Sequence, residues 1–404
     1  MRRKHMLLIG GRGHELGKVD KLGLRYSMIQ IPARASERQS TGAQHYAVAD
    51  YRRIGDILPI ARAWHAADPF DAVASFTEYG LEPASRCAID LGVPGDNLTA
   101  VLRTRDKTRT RDLLNRNGLS PVRHRVCTAL ADARDFMAER GGQAIVLKPP
   151  AGGLSEGVFI VETEAQLPQR WAWTRLVASG PILAEEYLGG PEYSVESISD
   201  HGRHEVVMVT EKLTTGPPGF VEIGHQVPAR LGLRERDGID QLIGDFLNLI
   251  GQQTGPVHSE LRNTPSGPRL IEAQTRIGGD QIWEMCEMVS GADMISETFA
   301  ALLGLPMPPR TPVARAAAIR FFSYADARIL DVRGVPAAAN APGVVRVHCT
   351  LEPGQELGSL ASSESRQGYV LCEGFSTHDA TVKAEAARDL VRVGLAPLVG
   401  RPAP

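Results

Sequence analysis

The sequence has 404 residues, a formal net charge of −2 and an ordinary hydrophobic content of 43%. A chain of this length exceeds the size at which a single hydrophobic core stops growing, so two or three lobes are expected. The near-zero charge excludes a basic surface large enough to hold nucleic acid by neutralising phosphates. It favours a small-molecule partner.

The chain lacks the patterns of export, membrane insertion and disulfide bonding. The apolar run that follows MRRKH ends at Gly10, which is too short for a signal peptide. No window reaches the roughly 18 uninterrupted apolar residues that a membrane span needs. The cysteines are odd in number and never form a CxxC pair, which indicates neither a disulfide framework nor a zinc site. We therefore expect a cytoplasmic protein that contacts no membrane.

Residues 1–100 have the pattern of an α/β lobe. Short apolar runs at 6–10, 27–32 and 71–80 predict strands, and 81–95 predicts a helix closed by glycine and proline. The loop GRGHELG resembles a dinucleotide fingerprint, but Leu16 stands where that pattern requires its third glycine. Two interpretations stay open, a plain strand-to-helix turn and a loop that contacts substrate or phosphate.

The composition changes near residue 101, where a charged amphipathic helix begins and is stopped by Gly118 and Pro121. Strands follow at AIVLKP, VFIVE, PILAEEYL and EYSVESIS, with helices between some of them. This βαβ-like order of short strands predicts a small α+β lobe that includes EYSVESIS.

The remainder alternates strands and helices. HEVVMVTEKL and GFVEIGHQVPA predict strands, and apolar spacings of three and four predict a helix over 239–255. Beyond LPMPPRTP, three more apolar runs predict strands in a third lobe. A final helix is expected over 379–393 with Asp379 as its N-cap.

Two lysine-containing segments are candidates for phosphate binding. Gly152, Gly153 and Gly157 lie between apolar strands, so backbone N–H groups there can converge on an anion, with Lys148 adding a point charge. The pattern is not a Walker A loop, and a plain glycine-rich hairpin is the alternative. Lys107 stands in an arginine-rich helix whose alternative interpretation is a solvated charged face.

The segment LAEEYLGGPEYSVE carries Glu185, Glu186 and Leu188 ahead of a Gly-Gly-Pro turn, and Glu192 after it. Such a segment can offer backbone groups to a purine edge and a carboxylate to ribose hydroxyls. An ordinary acidic hairpin is the alternative.

The segment HSELRNTPSGPRLIEAQTRIGGD predicts a hairpin. Period-two alternation places His258, Glu260 and Arg262 on one face, and it places Leu270, Glu272, Gln274 and Arg276 together on the partner strand. The two glutamates would then lie within a few ångströms of each other, which is unfavourable without an intervening positive charge. Hard oxygen ligands suit Mg²⁺ or Mn²⁺, usually together with substrate phosphates. A surface hairpin is the alternative.

These parts, in this order, resemble the ATP-grasp superfamily and, within it, carboxylate–amine ligases such as L-amino acid ligases and carnosine synthase. The resemblance implies an N-terminal doubly wound lobe over 1–100, an ATP-grasp domain over 101–305 with a lid at about 108–190, and a C-terminal α+β lobe over 306–404. It also implies small-molecule carboxylate and amine substrates, and similar enzymes are commonly dimers.

Carried over by position, the resemblance gives each candidate residue a role. Lys107 and Lys148 meet the ATP phosphates, and the loop with Gly152, Gly153 and Ser155 closes over them. Glu185, Glu186 and Leu188 hold adenine, and Glu192 holds ribose. Glu260 and Glu272 bind Mg²⁺, whereas Gln274 replaces the asparagine of many ATP-grasp enzymes and leaves its own role open. Arg276 contacts the acyl phosphate and the substrate carboxylate, and His225 is a candidate for substrate positioning or proton transfer.

The implied reaction is ATP-dependent amide formation through an acyl phosphate, with release of ADP and phosphate. Two other interpretations stay open. One is a biotin-carboxylase-like enzyme that activates bicarbonate, and the other is a nucleotide-binding protein without catalysis. The presence of both Glu260 and Glu272 argues against the second of these.

Overall fold

The N-terminal lobe of the computed structural model, which describes residues 2–217 and 219–398, is a parallel sheet covered by helices. Its strands pair in the order β3-β2-β1-β4. Every residue of β1 is buried, as expected for a parallel strand with helices on both faces. The elements are β1 (His5–Ile9), α1 (His14–Lys21), β2 (Arg25–Gln30), α2 (Glu37–Gly42), β3 (Tyr46–Val48), α3 (Ile54–Ala67), β4 (Ala72–Ala74) and α4 (Leu81–Leu91).

Two linking helices lead into a small antiparallel sheet of order β5-β8-β6-β7. Its apolar face packs against two helices through residues such as Leu147 and Phe136. The elements are α5 (Leu98–Thr104), α6 (Lys107–Arg116), β5 (His124–Cys127), α7 (Leu130–Glu139), β6 (Ile145–Lys148), β7 (Phe159–Val161), α8 (Leu167–Val177) and β8 (Ile182–Glu186).

A large antiparallel sheet organises the rest of the molecule. Ile239, Ile243, Phe246 and Ile250, spaced by three and four on α9, are buried in one core with Val257 of β12. The elements are β9 (Glu192–Asp200), β10 (Arg203–Thr214), β11 (Glu222–Val227), α9 (Leu233–Ile250), β12 (Gly255–Thr264), β13 (Gly267–Gln274), α10 (Ile282–Ser290), α11 (Met294–Leu303) and β14 (Ala316–Phe321).

Some C-terminal strands, β14, β18 and β16, extend this sheet, and three others form a sheet of their own. The order of the large sheet is β13-β12-β9-β10-β11-β14-β18-β16, and the separate small sheet has the order β17-β15-β19. The remaining elements are β15 (Ala327–Arg333), α12 (Val335–Ala339), β16 (Val344–Cys349), β17 (Glu356–Leu357), β18 (Gly368–Gly374), α13 (Thr377–Leu390) and β19 (Arg392–Pro397).

Three local predictions were wrong. The N-cap of α13 is Ser376, whose side chain accepts from the Asp379 backbone N–H at 3.2 Å, because the helix begins two residues before Asp379. That helix ends at Leu390, since the following residues pair with β15 as a strand. The segment EYSVESIS lies in the large sheet between β12 and β10, and not in the sheet formed by β5, β8, β6 and β7.

No helix within residues 2–217 and 219–398 is long and apolar enough to cross a membrane. All five cysteines are free thiols.

Candidate active site

A hairpin formed by β12 and β13 places two carboxylates side by side. The pairing puts Glu260 directly opposite Glu272. Lys212 Nζ lies 2.8 Å from Glu260 Oε1, and Lys107 Nζ lies 3.0 Å from Glu272 Oε2. Each lysine supplies the positive charge without which two adjacent carboxylates repel.

The two carboxylates are held in the ionised form. Burial raises the pKa of Glu260, but Lys212 and His258 outweigh burial and bring the pKa well below its usual value. Burial also raises the pKa of Glu272, and Lys107 reverses that change. Two ionised carboxylates therefore stand ready for a cation.

The hairpin contains a bulge that alternation alone does not predict. The register shifts after the Glu260–Glu272 pair, so that Leu261 pairs with Leu270 and leaves Ile271 as the extra residue. Leu270 and Leu261 are buried in the core, whereas Ile271 and Glu272 both line the cavity described below. The prediction that Leu270 shares a face with Glu272 was therefore wrong.

A cavity lies between this hairpin and the β5-β8-β6-β7 sheet, and we call it the nucleotide cavity after the ligand that the resemblance implies. Its empty volume is about 910 Å³, which includes open solvent at its mouth. Eleven candidate residues from the sequence line it: Lys107, Lys148, Gly152, Gly153, Ser155, Glu185, Glu186, Leu188, Glu192, Glu260 and Glu272. Tyr187, Phe220, Glu222, Arg262 and Ile271, which were not predicted, also line it.

Lys107 connects the floor of the cavity to the glycine-rich loop. Its Nζ donates to the Gly152 carbonyl at 2.7 Å as well as contacting Glu272. Burial lowers the pKa of Lys107, but Glu272, Glu78 and Glu260 outweigh it and raise the pKa. Gly157 in the same loop has φ of +72°, and a Cβ there would lie 2.3 Å from a methyl carbon of Val177, so this position requires glycine.

Lys148 belongs to a buried charge cluster with Glu185 and Arg111. Lys148 Nζ lies 2.6 Å from Glu185 Oε2, and Arg111 Nε lies 2.6 Å from Glu185 Oε1. Burial raises the pKa of Glu185, but the two cations lower it to about 2. The Glu185 side chain is thus engaged by protein cations, and Arg111 belongs to the interior rather than to a solvated face.

Glu192 is held by two cations that the sequence analysis did not single out. Its carboxylate lies 3.0 Å from Lys212 Nζ and 3.0 Å from Arg262 Nη2. The Arg262 guanidinium lies 5.2 Å from the ring centres of both Tyr187 and Phe220. Arg262 also donates to the Leu188 carbonyl at 3.1 Å.

Lys212 is the main residue that the sequence analysis missed. Its side chain is 2% exposed and contacts Glu192, Glu222 and Glu260 at 3.0, 3.5 and 2.8 Å. Burial lowers the pKa of Lys212, but the three carboxylates raise it well above its usual value. The available signal was a lysine within the apolar pattern of HEVVMVTEKL.

His225 and Arg276 do not line the nucleotide cavity, and they lie in a second cluster with Glu78, Asp280 and Arg366. His225 is buried with Nε2 3.3 Å from Asp280, and Arg276 Nε donates to Glu78 at 2.9 Å. The charge of Glu78 helps to raise the pKa of Lys107, whose side chain lines the cavity.

The donor set fits a divalent cation that shares its ligands with phosphate. In the parts of the chain that the structure describes, no three or more His, Cys, Asp or Glu side chains are grouped to hold a metal alone. Mg²⁺ is usually held by one or two carboxylates plus phosphate oxygens and water, which the Glu260–Glu272 pair matches. Gln274 donates to Glu272 Oε1 at 3.0 Å and is absent from the cavity lining.

Two protein families match the chain. Residues 142–284 match the ATP-grasp domain, and residues 320–396 match the L-amino acid ligase C-terminal domain 2. The first match contains most of the nucleotide cavity, and the second contains Arg366.

Two curated relatives are ligases or synthases. The alanine–anticapsin ligase of Bacillus subtilis is 26% identical over an alignment of 249 residues, and the match covers 55% of this chain and 52% of that protein. Carnosine synthase 1 of Gallus gallus is 29% identical over an alignment of 241 residues, and the match covers 55% of this chain and 26% of that protein. The alignments therefore span about half of the first relative and about a quarter of the second.

A solved structure confirms the predicted fold across the chain. The crystal structure of an L-amino acid ligase from Bacillus licheniformis superposes with a TM-score of 0.83 at 21% identity, covering 97% of this chain and 99% of that one. The chain therefore carries an ATP-grasp domain over residues 142–284 and a match to the L-amino acid ligase C-terminal domain 2 over residues 320–396, on a fold similar to that of an L-amino acid ligase.

Proposed function

We propose that this protein is an ATP-dependent ligase that joins the carboxylate of an amino acid, or of a similar small acid, to an amine. The observation that carries the proposal is the cross-strand pair of Glu260 and Glu272, each bound to a lysine, beneath a glycine-rich loop. The C-terminal domain matched over 320–396 favours amino acids over bicarbonate as the substrate.

In this proposal the nucleotide cavity binds ATP. Lys107 and Lys148 bind its phosphates, the 185–188 segment binds adenine through the backbone, and Glu192 binds the ribose. Glu260 and Glu272 hold Mg²⁺ or Mn²⁺, which when bound neutralises charge on the transferred phosphoryl group. The engagement of the Glu185 carboxylate by Lys148 and Arg111 supports a backbone role for this segment.

Two steps follow. A carboxylate oxygen of the acid attacks the γ-phosphorus, and the bond from that phosphorus to ADP breaks to leave an acyl phosphate. The amine nitrogen then attacks the acyl carbon and phosphate departs. Arg276 stabilises the oxyanion, and His225 takes the proton that the amine loses.

The acyl phosphate must be protected from water, because each acyl phosphate that is hydrolysed consumes one ATP without forming an amide. The loop 150–157 is suited to act as the lid, since it joins β6 to β7 and contacts Lys107 through Gly152. Closing this loop would cover the reacting phosphate.

A phosphate-release screen tests the proposal. Pairs of amino acids are supplied with ATP and Mg²⁺, the nucleotide product is identified, and the condensed product is measured by mass. We expect ADP, phosphate and an amide. Release of AMP, or stimulation of ATP turnover by bicarbonate without an amine, would contradict it.

A further inference from the structure

A short segment of the C-terminal part of the chain reaches both the nucleotide cavity and the second cluster. It consists of a 3-10 turn at Ser363–Ser365 and the following Arg366. Ser363 and Arg366 are buried, and the reaction steps above do not use them.

Arg366 makes a forked ion pair with Asp280. Its Nη1 and Nη2 donate to the two carboxylate oxygens at 2.8 and 2.6 Å, and its side chain is 8% exposed. The guanidinium carbon lies 3.7 Å from the ring centre of Phe321. A planar fork held against an aromatic ring has little freedom, so it fixes the position of its partner.

Asp280 is the residue that this fork positions. It has φ of +53°, and Gln281 after it has φ of +63°, a left-handed conformation that non-glycine residues adopt at a cost. The same carboxylate lies 3.3 Å from His225 Nε2. Burial raises the pKa of Asp280, but His225 and Arg366 lower it, so the carboxylate is charged between them.

The other end of the segment contacts the loop proposed as the lid. The Ser363 N–H donates to the Leu154 carbonyl at 3.3 Å, and the Ser363 hydroxyl donates to Glu222. Ser155 Oγ of the same loop donates to Glu222 at 3.4 Å. Arg366 Nη1 also donates to the Glu222 carbonyl at 3.2 Å.

We infer that Arg366 is a positioning residue for the ligation step, because it fixes Asp280 and, through it, His225, while Ser363 ties this arrangement to the lid. The inference rests on the proposed function. It assigns to the C-terminal domain a role in deciding whether the amine or water takes the acyl group. Attack by the amine gives amide and phosphate, whereas attack by water gives the original acid and phosphate.

The experiment measures phosphate released per amide formed in Arg366→Gln. We expect this ratio to rise roughly tenfold, because the variant loses the buried charge-assisted hydrogen bonds of Arg366 to Asp280. KM for ATP should change less than about threefold. Arg346→Gln is the matched control, since Arg346 comes from the same part of the chain and pairs with Glu284 at the surface. An unchanged ratio in a folded Arg366→Gln protein would overturn the inference.

Two further variants keep the test decisive if Arg366→Gln does not fold. Ser363→Ala removes only a hydroxyl, and it should raise the same ratio by a smaller factor. Arg366→Lys keeps the charge without the fork, and together with Asp280→Asn it should show strongly non-additive effects. Unchanged ratios or additive effects would count against the inference.

A measurement without turnover separates this inference from the proposed function. In the natural sequence, ATP should slow hydrogen exchange both in the loop 150–157 and in the segment 276–282. In Ser363→Ala it should slow exchange only in the loop. Equal protection of both segments in the variant would contradict the coupling, whatever reaction the protein catalyses.

Discussion

The carboxylates of the nucleotide cavity are neutralised by lysines as well as arginines, whereas the arginines Arg276 and Arg366 pair with the carboxylates of the second cluster. Around the cavity, Lys107, Lys148 and Lys212 contact glutamates of its lining at 3.0 Å or less, and Arg111 and Arg262 pair with Glu185 and Glu192. In the second cluster, Arg276 pairs with Glu78 and Arg366 with Asp280. A lysine ammonium is a point charge on a flexible stem that can turn from a glutamate to a phosphate, whereas an arginine fork fixes direction. The comparison indicates that the lysines around the cavity are suited to exchange partners, and the arginines of the second cluster to hold geometry.

The largest expected effect comes from breaking the carboxylate pair of the cavity. Glu272→Gln should lower turnover by at least about a hundredfold, because a bound metal ion supplies several kcal/mol of charge stabilisation. Steady-state rates across a range of Mg²⁺ concentrations measure this. The fold should persist, since the amide is nearly isosteric with the carboxylate.

Glu373→Gln is the control for this variant, because Glu373 is an exposed strand glutamate. It should leave the rate unchanged. Full activity of Glu272→Gln at saturating Mg²⁺ would refute the metal assignment.

The second effect is on stability and concerns the lysine that the sequence analysis missed. Lys212→Met leaves Glu192, Glu222 and Glu260 without their shared cation, and removing one partner of a buried ion pair costs about 3 to 5 kcal/mol. Denaturant unfolding measures this. Lys383→Met, which breaks an (i, i+4) pair on α13, should cost only about 0.3 to 0.5 kcal/mol. Equal losses in the two variants would show that Lys212 is not structurally special.

Lys212 also marks the limit of what the sequence predicts. Alternation and a short turn brought Glu260 and Glu272 together correctly, because both strands belong to one hairpin. The contacts of Lys212 depend on β9 and β11, which precede and follow its own strand in the sequence, and on the remote strand β12, which pairs with β9 in the folded sheet. One sequence contains no local signal for that pairing. The bulge at Ile271 could not be predicted from the sequence either, because it inserts one residue into an otherwise regular alternation.

The nucleotide cavity and the second cluster also differ in how well the sequence predicted which residues come together. The cavity residues follow motif order within a continuous stretch of the chain, so resemblance located them together. Glu78 and Arg366 come from opposite ends of the sequence, and only the tertiary fold brings them beside Arg276 and Asp280. The domain boundaries at residues 100 and 305 and the individual site roles stay predictions.

The third prediction concerns the stability of the N-terminal lobe, which supplies Glu78, in acid. Burial lowers the pKa of His5 to about 4, although Asp68 opposes that change. The neutral folded form therefore contributes full stability above pH 6.5, and the contribution is lost as pH falls from 6.5 towards 4. The loss should reach about 2 to 3 kcal/mol at about 1.4 kcal/mol per pKa unit.

Thermal unfolding between pH 7.5 and 4.5 tests this expectation. His5→Gln should flatten the dependence on pH, and His201→Gln, which alters a mostly exposed histidine, should not. A natural protein and a His5→Gln variant with parallel profiles would contradict the assignment.

The smallest expected effect tests the difference between the two regions most directly. Arg276→Lys keeps the charge near Glu78 but removes the planar fork, so we expect KM for the amino acids to rise about tenfold while KM for ATP stays within about twofold. Arg328→Lys, at an exposed position on β15, is the control. If KM for ATP rose as much as KM for the amino acids, Arg276 would belong to nucleotide binding. The proposed difference in role between the lysines of the cavity and the arginines of the second cluster would then be wrong. A rise confined to the amino acids would mean that fixed direction, rather than charge alone, is what the second cluster supplies to the reaction.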